Sequence, residues 1–384
     1  MKYFLIAGEA SGDLHGGGLI KALRETDSDA RFCFLGGDFM ENASGVKPVV
    51  HYKRMAYMAF SEVLRHLPDI LGNMRAARKA LDDFAPDAVI LIDYPSFNLK
   101  IAKYAFGKGL PVYYYISPKV WAWKEWRVKD IRKYVRKVFS ILPFETDFYA
   151  RHGVEADYMG NPTANEIAEF KLNVPDFLSF MEKHGIRDRR PVIALLPGSR
   201  AGEIRNNLPV MYKAAARFSN FQPVVAAAPN IDSGFYSAVL KNKGMDVYPL
   251  LVENDTFALV ANSAAALVTS GTATLETAVI GTPQVVCYRA NGSKFAYKLF
   301  ERILKVPFVS LPNLIAGREV VKELLLHECT PDNVAKELEP LLYDSPQWHA
   351  MCDGYKEVSR RLGDKESGRE TARAIFRDLN SVKR

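Results

Sequence analysis

The sequence predicts an α/β protein built as two doubly wound halves, each a parallel sheet with helices on both faces. Three observations predict it. The 384 residues exceed what one ordinary core organises. Short apolar runs alternate with helical patterns along the chain, the signature of βαβ units. The turn-rich stretch Met159-Gly160-Asn161-Pro162-Thr163 then divides that alternation into two series.

In the first series, strands are expected at 2–7, 31–35, 88–92, 112–116 and 139–142, the last closing this half. A Gly-rich loop and a helix to residue 23 follow the first strand, and Gly36-Gly37 ends the second. In the second series, strands are expected at 192–196, 222–227, 246–248, 265–269 and 284–288. From about residue 330 the pattern is helical to the end. Two facing halves of this kind place ligands at the carboxyl ends of their strands, in the cleft between them.

Composition narrows the function classes. Apolar residues make up 48%, charged residues 25% and aromatics 11%, a globular balance that argues against long disorder. Cys33, Cys287, Cys329 and Cys352 are scattered with no CxxC pair, so a reducing compartment fits and a disulfide framework does not. No apolar run approaches the ~18 residues of a spanning helix, and a strand starting at Lys2 leaves no room for a signal peptide. The expectation is a soluble protein, or one lying on a membrane. The formal charge is +7, and residues 119–137 carry eight basic side chains against Glu125 and Asp130. Such a patch suits an anionic partner: nucleic acid, phosphorylated lipid or a phospholipid surface.

Two strand ends in the second half read as anion sites. Leu195-Leu196-Pro197-Gly198-Ser199-Arg200 ends a buried strand abruptly, with a helix expected to start near Ser199. Free N–H groups at that helix start would attract a phosphate, Ser199 could touch it, and Arg200 could fork across its oxygens. A plain strand–helix turn with a surface arginine is the alternative. Val268-Thr269-Ser270-Gly271-Thr272-Ala273-Thr274-Leu275-Glu276 repeats the logic: Gly271 admits a phosphate, and Ser270, Thr272 and Thr274 supply hydroxyls. Glu276 could accept both ribose hydroxyls, or simply stabilise its own helix start. Two anion loops in one half suit a diphosphate.

The first half offers carboxylates instead. Asp93 ends a strongly apolar strand, where a general base would be useful, although an Asx-turn before Pro95 also fits. Glu9, in Gly8-Glu9-Ala10-Ser11-Gly12-Asp13, is a second candidate, while Asp13 is expected to cap the helix that follows it. The loop is not GxGxxG, and nothing requires a metal: Asp27-Ser28-Asp29 matches a DxD by its letters but precedes a strand. The stretch from Met55 to Leu67, containing Met58, Phe60 and Leu64, is apolar over most of a helical circumference and suits either a core or a membrane surface. Trp121, Trp123 and Trp126 beside the basic run suit a membrane interface, single-stranded nucleic acid, or an ordinary aromatic-packed loop.

Taken together, Gly8-Glu-Ala-Ser-Gly-Asp13, Ile116-Ser-Pro-Lys-Val-Trp-Ala-Trp123, Leu195-Leu-Pro-Gly-Ser-Arg200, Ser270-Gly-Thr-Ala-Thr-Leu-Glu276 and Ser310-Leu-Pro-Asn-Leu-Ile-Ala-Gly-Arg-Glu319 resemble the lipid-A-disaccharide synthase family, in its order and spacing over nearly the whole chain. The resemblance implies a GT-B-type architecture of two Rossmann-like domains. It further implies an inverting, metal-independent transferase with no cofactor, on the cytoplasmic face of the inner membrane and with no nucleic-acid partner. The expected reaction joins UDP-2,3-diacylglucosamine to 2,3-diacylglucosamine 1-phosphate (lipid X) through a β-1,6 bond, releasing UDP. It implies catalytic importance for Asp93 and phosphate contacts for Arg200 and Asn313. With a lipid acceptor, the expected acceptor or membrane-contact set is Ser11, Met58, Phe60, Leu64, Trp121 and Trp123. The expected organisation is an acceptor domain at 1–162, a UDP-sugar domain at 163–345, and helices at 346–384 that return to an N-terminal domain, exchanged within a homodimer. One departure is Gly160-Asn161-Pro162, where many members have Gly-His-Pro; Asn can hydrogen-bond but cannot shuttle protons near neutral pH. Three rivals remain at this point: a UDP-sugar 2-epimerase, a transferase acting on lipid-linked muramyl peptide, and a two-lobed sugar-binding protein.

Overall fold

In a computed structural model, which describes residues 1–55, 67–122, 124–289 and 307–382, the chain folds as two compact units. Met1–Pro162 with Asp364–Arg384 form the first, and Thr163–Gly363 the second.

The first unit is a six-stranded, all-parallel sheet in the order β2-β1-β3-β4-β5-β6. Its strands are β1 Lys2–Ala7, β2 Arg31–Leu35, β3 Ala88–Ile92, β4 Val112–Tyr115, β5 Lys137–Ser140 and β6 Ala156–Tyr158. β1 and β3 are wholly or almost wholly buried, which is why they read as unbroken apolar runs. β5 begins earlier than expected, and β6 is an additional short strand. Its sequence, Ala-Asp-Tyr, is too short and polar to announce itself. On one face Tyr3, Leu5, Ile90 and Tyr113 pack with Leu19 and Leu23 of the helix Ala10–Thr26 and with Ala372, Ile375 and Leu379 of the helix Ser367–Val382.

The second unit repeats the plan in the order β12-β11-β10-β7-β8-β9. Its strands are β7 Val192–Leu196, β8 Gln222–Ala227, β9 Leu250–Glu253, β10 Ser263–Thr269, β11 Gln284–Tyr288 and β12 Lys322–Leu325. Residues 246–248 are not a strand; the strand follows them, and Tyr248 stands 89% exposed with no sheet to pack on. β12 escaped the sequence because Lys322 and Glu323 break its apolar pattern.

Each sheet reverses its strand order at one place: between β1 and β3 in the first unit, and between β7 and β10 in the second. The loops that leave the carboxyl ends of those neighbouring strands diverge and leave a crevice, the usual ligand position in such sheets. The expected residues Glu9 and Asp93 follow β1 and β3, and the two expected anion loops follow β7 and β10.

The C-terminal helices divide differently from the expectation. The helix Pro346–Leu362 belongs to the second unit, because Gln284 on β11 donates to the hydroxyl of Tyr355 at 3.2 Å and Gly354 lies against Val320. A Cβ at Gly354 would stand 2.4 Å from a Val320 methyl, so only glycine lets this helix approach. The segment that joins the first unit starts at Asp364. There Asp378 accepts from Tyr113 Oη and from Arg136 Nε, each at 2.5 Å, and Gly368 meets the backbone of Gly18 at 3.5 Å from its ideal Cβ position.

Candidate functional site

In the first unit, Ala7 and Ile92 are direct neighbours across the β1–β3 ladder, so the Glu9 and Asp93 loops start side by side. Glu9 is the extended residue before the helix Ala10–Thr26, and the exposed Ser11 hydroxyl donates to its carboxylate at 3.2 Å. Gly8 lies under the Tyr94 ring: a Cβ there would come within 2.3 Å of it. Asp93 and Tyr94 have φ of 41° and 49°, a left-handed pair that non-glycine residues adopt only when held. The hold is visible. The Asp93 carbonyl accepts from Tyr114 Oη at 2.6 Å and from Asn98 Nδ2 at 2.7 Å, its N–H donates to Ile116 at 3.2 Å, and Tyr94 Oη donates to the Met55 carbonyl at 2.7 Å.

Burial, and then the Glu9 carboxylate, push Asp93 up to about 6; Lys119 and the Tyr94 N–H pull the other way, and Glu145 adds to the rise. A carboxylate poised this close to neutrality is suited to taking a proton.

Asp13 corrects an expectation. It does not cap its own helix; it is buried and accepts from the N–H groups of Gly37 (2.6 Å), Phe39 (3.0 Å) and Met40 (3.2 Å), so it caps the neighbouring helix Asp38–Ser44. Asp27 is likewise structural, accepting from the chain's amino terminus at 2.7 Å and from Tyr3 Oη at 3.1 Å.

The expected contact residues separate. Trp121 turns inward: only 7% exposed, it packs edge-on against Phe144 and donates to Glu145 at 2.9 Å, so it presents no surface to a membrane. Trp126 is the exposed indole, with Arg127 over its ring. Trp123, Met58, Phe60 and Leu64 lie outside the described residues. Asn161 is buried and donates to the Ile141 carbonyl at 2.9 Å. Sequence reasoning missed Glu145. Fully buried, it also accepts from Ser140 Oγ at 2.7 Å, and burial raises its carboxyl against the pull of its donors. Nothing in Pro143-Phe144-Glu145 distinguishes it from an ordinary helix start.

In the second unit, Leu196 and Val268 are neighbours across the β7–β10 ladder, which brings the two anion loops together. Gly198 has φ of 114°, a conformation that favours glycine, and Glu203 lies against it: a Cβ would meet the Glu203 carboxylate at 2.5 Å. That carboxylate accepts from Ser199 N–H at 3.0 Å and Arg200 N–H at 3.4 Å, and its other oxygen accepts from Arg200 Nη1 at 3.3 Å. The amides expected to be open to phosphate are therefore held by the chain's own anion. The helix itself begins at Ala201. Arg200 keeps an exposed guanidinium, 64% accessible.

On the other loop, Gly271 has φ of 154° and open space on its Cβ side, and Thr272 is exposed at the start of the helix Thr272–Ile280. Ser270 donates to the Val309 carbonyl at 3.1 Å. Thr274 is buried and not presented to a ligand: its hydroxyl donates to Gly271 at 2.8 Å and accepts from Leu311 N–H at 3.4 Å. Glu276 is half-buried, and burial, followed by the Glu166 carboxylate, pushes it up to about 7.

Asn313 departs most from the expected phosphate contact. Fully buried, it donates to Val321 O and Glu323 at 2.9 Å each and accepts from Val320 N–H at 2.7 Å and Val321 N–H at 2.9 Å. All four hydrogen-bonding positions of its amide are used. Glu323, the polar residue that hid β12, accepts additionally from Val309 N–H, Ser310 N–H and Ser310 Oγ, and so fixes the segment that Ser270 touches.

Among the described residues, no helix is long and apolar enough to cross a membrane, and no group of three His, Cys, Asp or Glu side chains is arranged to hold a metal.

Known proteins share both the fold and the sequence. The enzyme UDP-GlcNAc 2-epimerase from Neisseria meningitidis, solved with UDP-GlcNAc bound, superposes with a TM-score of 0.67 over 99% of this chain and 100% of its own, at 13% identity. That likeness concerns the fold, a GT-B arrangement of two Rossmann-like domains. Much closer in sequence are lipid-A-disaccharide synthase from Myxococcus xanthus, 40% identical over 98% of this chain and 97% of that protein, and lipid-A-disaccharide synthase from Koribacter versatilis, 36% identical over 100% and 98%. A family model described as lipid-A-disaccharide synthetase matches residues 3–376. The chain belongs to the lipid-A-disaccharide synthetase family.

Proposed function

We propose that this enzyme joins UDP-2,3-diacylglucosamine to 2,3-diacylglucosamine 1-phosphate by a β-1,6 bond, releasing UDP, with the acceptor on the first unit and the UDP-sugar on the second. The observation that carries this division is that each sheet's reversal point bears a different chemistry. A carboxylate raised to about 6 stands at one, and an arginine with a glycine loop stands at the other.

In the proposed step, Asp93 takes the proton of the acceptor's 6-hydroxyl as that oxygen attacks the anomeric carbon of the donor sugar, and the bond to UDP breaks on the opposite face. One displacement inverts the anomeric centre. The leaving diphosphate gains charge, which Arg200 and the start of the helix Thr272–Ile280 stabilise. Glu276 accepts from the ribose hydroxyls. Ser199, Gly198, Ser270 and Thr272 shape the pocket around the phosphates.

Both lipids are amphiphiles, so the protein works at the inner-membrane surface as a peripheral cytoplasmic enzyme. The exposed Trp126 and the surrounding lysines and arginines support that location. A homodimer is the assembly that the family resemblance implies. Mass analysis after incubation with UDP-2,3-diacylglucosamine, with and without the acceptor, tests the function. A disaccharide 1-phosphate that forms only with acceptor supports it; isomerised UDP-sugar without acceptor would establish an epimerase instead.

A further inference from the structure

We infer that Glu145 is a positioning residue for the transfer step: its buried carboxyl bolts residues 116–121 against Asp93 and so holds the base where the acceptor hydroxyl must meet it. The inference rests on the reading of Asp93 as the base and adds what keeps that base in place.

Asp93 depends on a neighbouring loop for its backbone. β3 and β4 adjoin with Ile92 opposite Tyr115, and the Asp93 N–H donates to Ile116, the first residue beyond β4. Ile116 itself has φ of 60°, rare for a β-branched residue, and its N–H is tied to the Phe139 carbonyl of β5 at 3.1 Å. Such a backbone persists only when its surroundings hold it. The helix Glu145–Arg151 grips the same loop at two further points, from residues four apart on one face. Trp121 Nε1 donates to Glu145 at 2.9 Å, and Tyr149 Oη donates to the Pro118 carbonyl at 3.4 Å. Lys119, between those two grips in the chain, is the charge that draws Asp93 down.

An ordinary acidic residue at a helix start faces water and serves its own helix. Glu145 is instead 1% exposed, and its two oxygens accept from Trp121 Nε1 and from Ser140 Oγ, the latter at 2.7 Å. Ser140 ends β5, which pairs with β4, so the carboxyl joins the loop of one strand to the end of the next. A buried carboxyl costs more than an apolar side chain of its size unless its oxygens are used. Here both are used, and what they fix is the loop from which Asp93 hangs. Asp93 is faced by Glu9 from the β1 loop, by Lys119 from this loop, by Glu145, and by the phenols of Tyr114 and Tyr149. Burial is the largest of the influences that raise it. A loop that swung away would admit water to Asp93 and lower it toward the ordinary 3.8.

The test uses the full-length protein with detergent-dispersed UDP-2,3-diacylglucosamine and 2,3-diacylglucosamine 1-phosphate. Glu145→Ala leaves Trp121 and Ser140 without their partner and is expected to lower kcat about 10–100-fold, with UDP affinity within about twofold of wild type. The acid limb of its kcat/KM profile should also move below the wild-type value of about 6, because the loosened loop admits water to Asp93. Glu145→Gln keeps both contacts: its carbonyl accepts from Trp121, and its amide donates to Ser140, whose own proton turns to the Leu142 carbonyl 2.7 Å away. That variant should stay within about threefold of wild type in kcat, with a smaller move of the acid limb. Should Glu145→Ala fail to fold, Trp121→Phe cuts the same bond from its other end and keeps a ring against Phe144; kcat is expected to fall about 5–10-fold. Wild-type turnover in Glu145→Ala or in Trp121→Phe overturns the proposal. So does a loss in Glu145→Gln as large as in Glu145→Ala. A loss that leaves the acid limb in place and weakens UDP binding equally marks a merely structural role and overturns it too. Asp93→Asn is measured alongside, and its transfer at the full rate would mean that the reading of the base fails separately. Hydrogen exchange then still decides what Glu145 does. Faster exchange at 93–94 and 116–121 in Glu145→Ala, but not in Glu145→Gln, supports the hold on the loop, and unchanged exchange refutes it.

Discussion

The Glu203 carboxylate accepts the N–H of Ser199 at 3.0 Å and the guanidinium of Arg200 at 3.3 Å. The arginine proposed to clamp the diphosphate is thus itself oriented by a carboxylate one turn along its helix. Glu203→Ala removes a cap and should cost about 1 kcal/mol of stability, read as a shift in denaturant midpoint against wild type. Glu203→Gln, which can still reach the same amides, should recover most of that loss. In both variants UDP should bind more weakly, because Arg200 loses its orienting partner.

Arg200→Lys should retain the fold and lose about 10–1,000-fold in turnover. A lysine keeps the charge but cannot present two parallel donors to the departing diphosphate. Steady-state rates with saturating acceptor measure this, and near-normal turnover would remove Arg200 from the charge-stabilising role.

The sign of the Asp93 shift makes two linked predictions. A base raised to about 6 must be ionised to work, so kcat/KM should fall as pH drops through about 6. The same shift means that the folded state disfavours the carboxylate. That cost is complete above pH 6 and disappears below the ordinary aspartate value of 3.8. Asp93→Asn should therefore stabilise the protein at pH 8, by about 1–3 kcal/mol, with little gain at pH 4. Thermal or denaturant unfolding at the two pH values reads it directly.

Glu276 is pushed to about 7 by burial and by Glu166, so near neutrality it is only partly ionised. A carboxylate accepts both ribose hydroxyls, whereas its acid form competes as a donor. Uridine, which carries no titrating phosphate, should bind several-fold more tightly at pH 8 than at pH 6, and Glu276→Gln should flatten that dependence. Calorimetric titration at both pH values decides it.

Most of the architecture was legible because buried parallel strands are continuous apolar runs, and ten of the twelve strands among the described residues carry that signature or lie close to a run that does. The exceptions have physical causes. Ala156-Asp157-Tyr158 is too short, and Lys322-Glu323 puts charge into an edge strand because Glu323 is needed to fix the segment at Val309 and Ser310. The site was legible as loops rather than as contacts. Residue types singled out Arg200, Gly271 and Asp93 as candidates, but nothing in one dimension shows that Glu203 fills the Ser199 amide, that Asp13 caps a different helix, or that Glu145 holds Trp121 inward. Asn313 shows the same limit. Its place in a family motif suggested a ligand, whereas its four hydrogen bonds make it the pin of its own loop. Asn313→Ala should consequently lower stability and UDP affinity together, leaving Val320, Val321 and Glu323 without their partner.

The central claim separates proton removal on the first unit from nucleotide binding on the second, and Asp93→Asn tests it most directly. UDP titration and single-turnover transfer would be measured on the same preparation. The account predicts UDP affinity within about twofold of wild type and transfer reduced at least about 100-fold, the usual range for losing a general base. Full transfer activity would contradict it and move the base to Glu9.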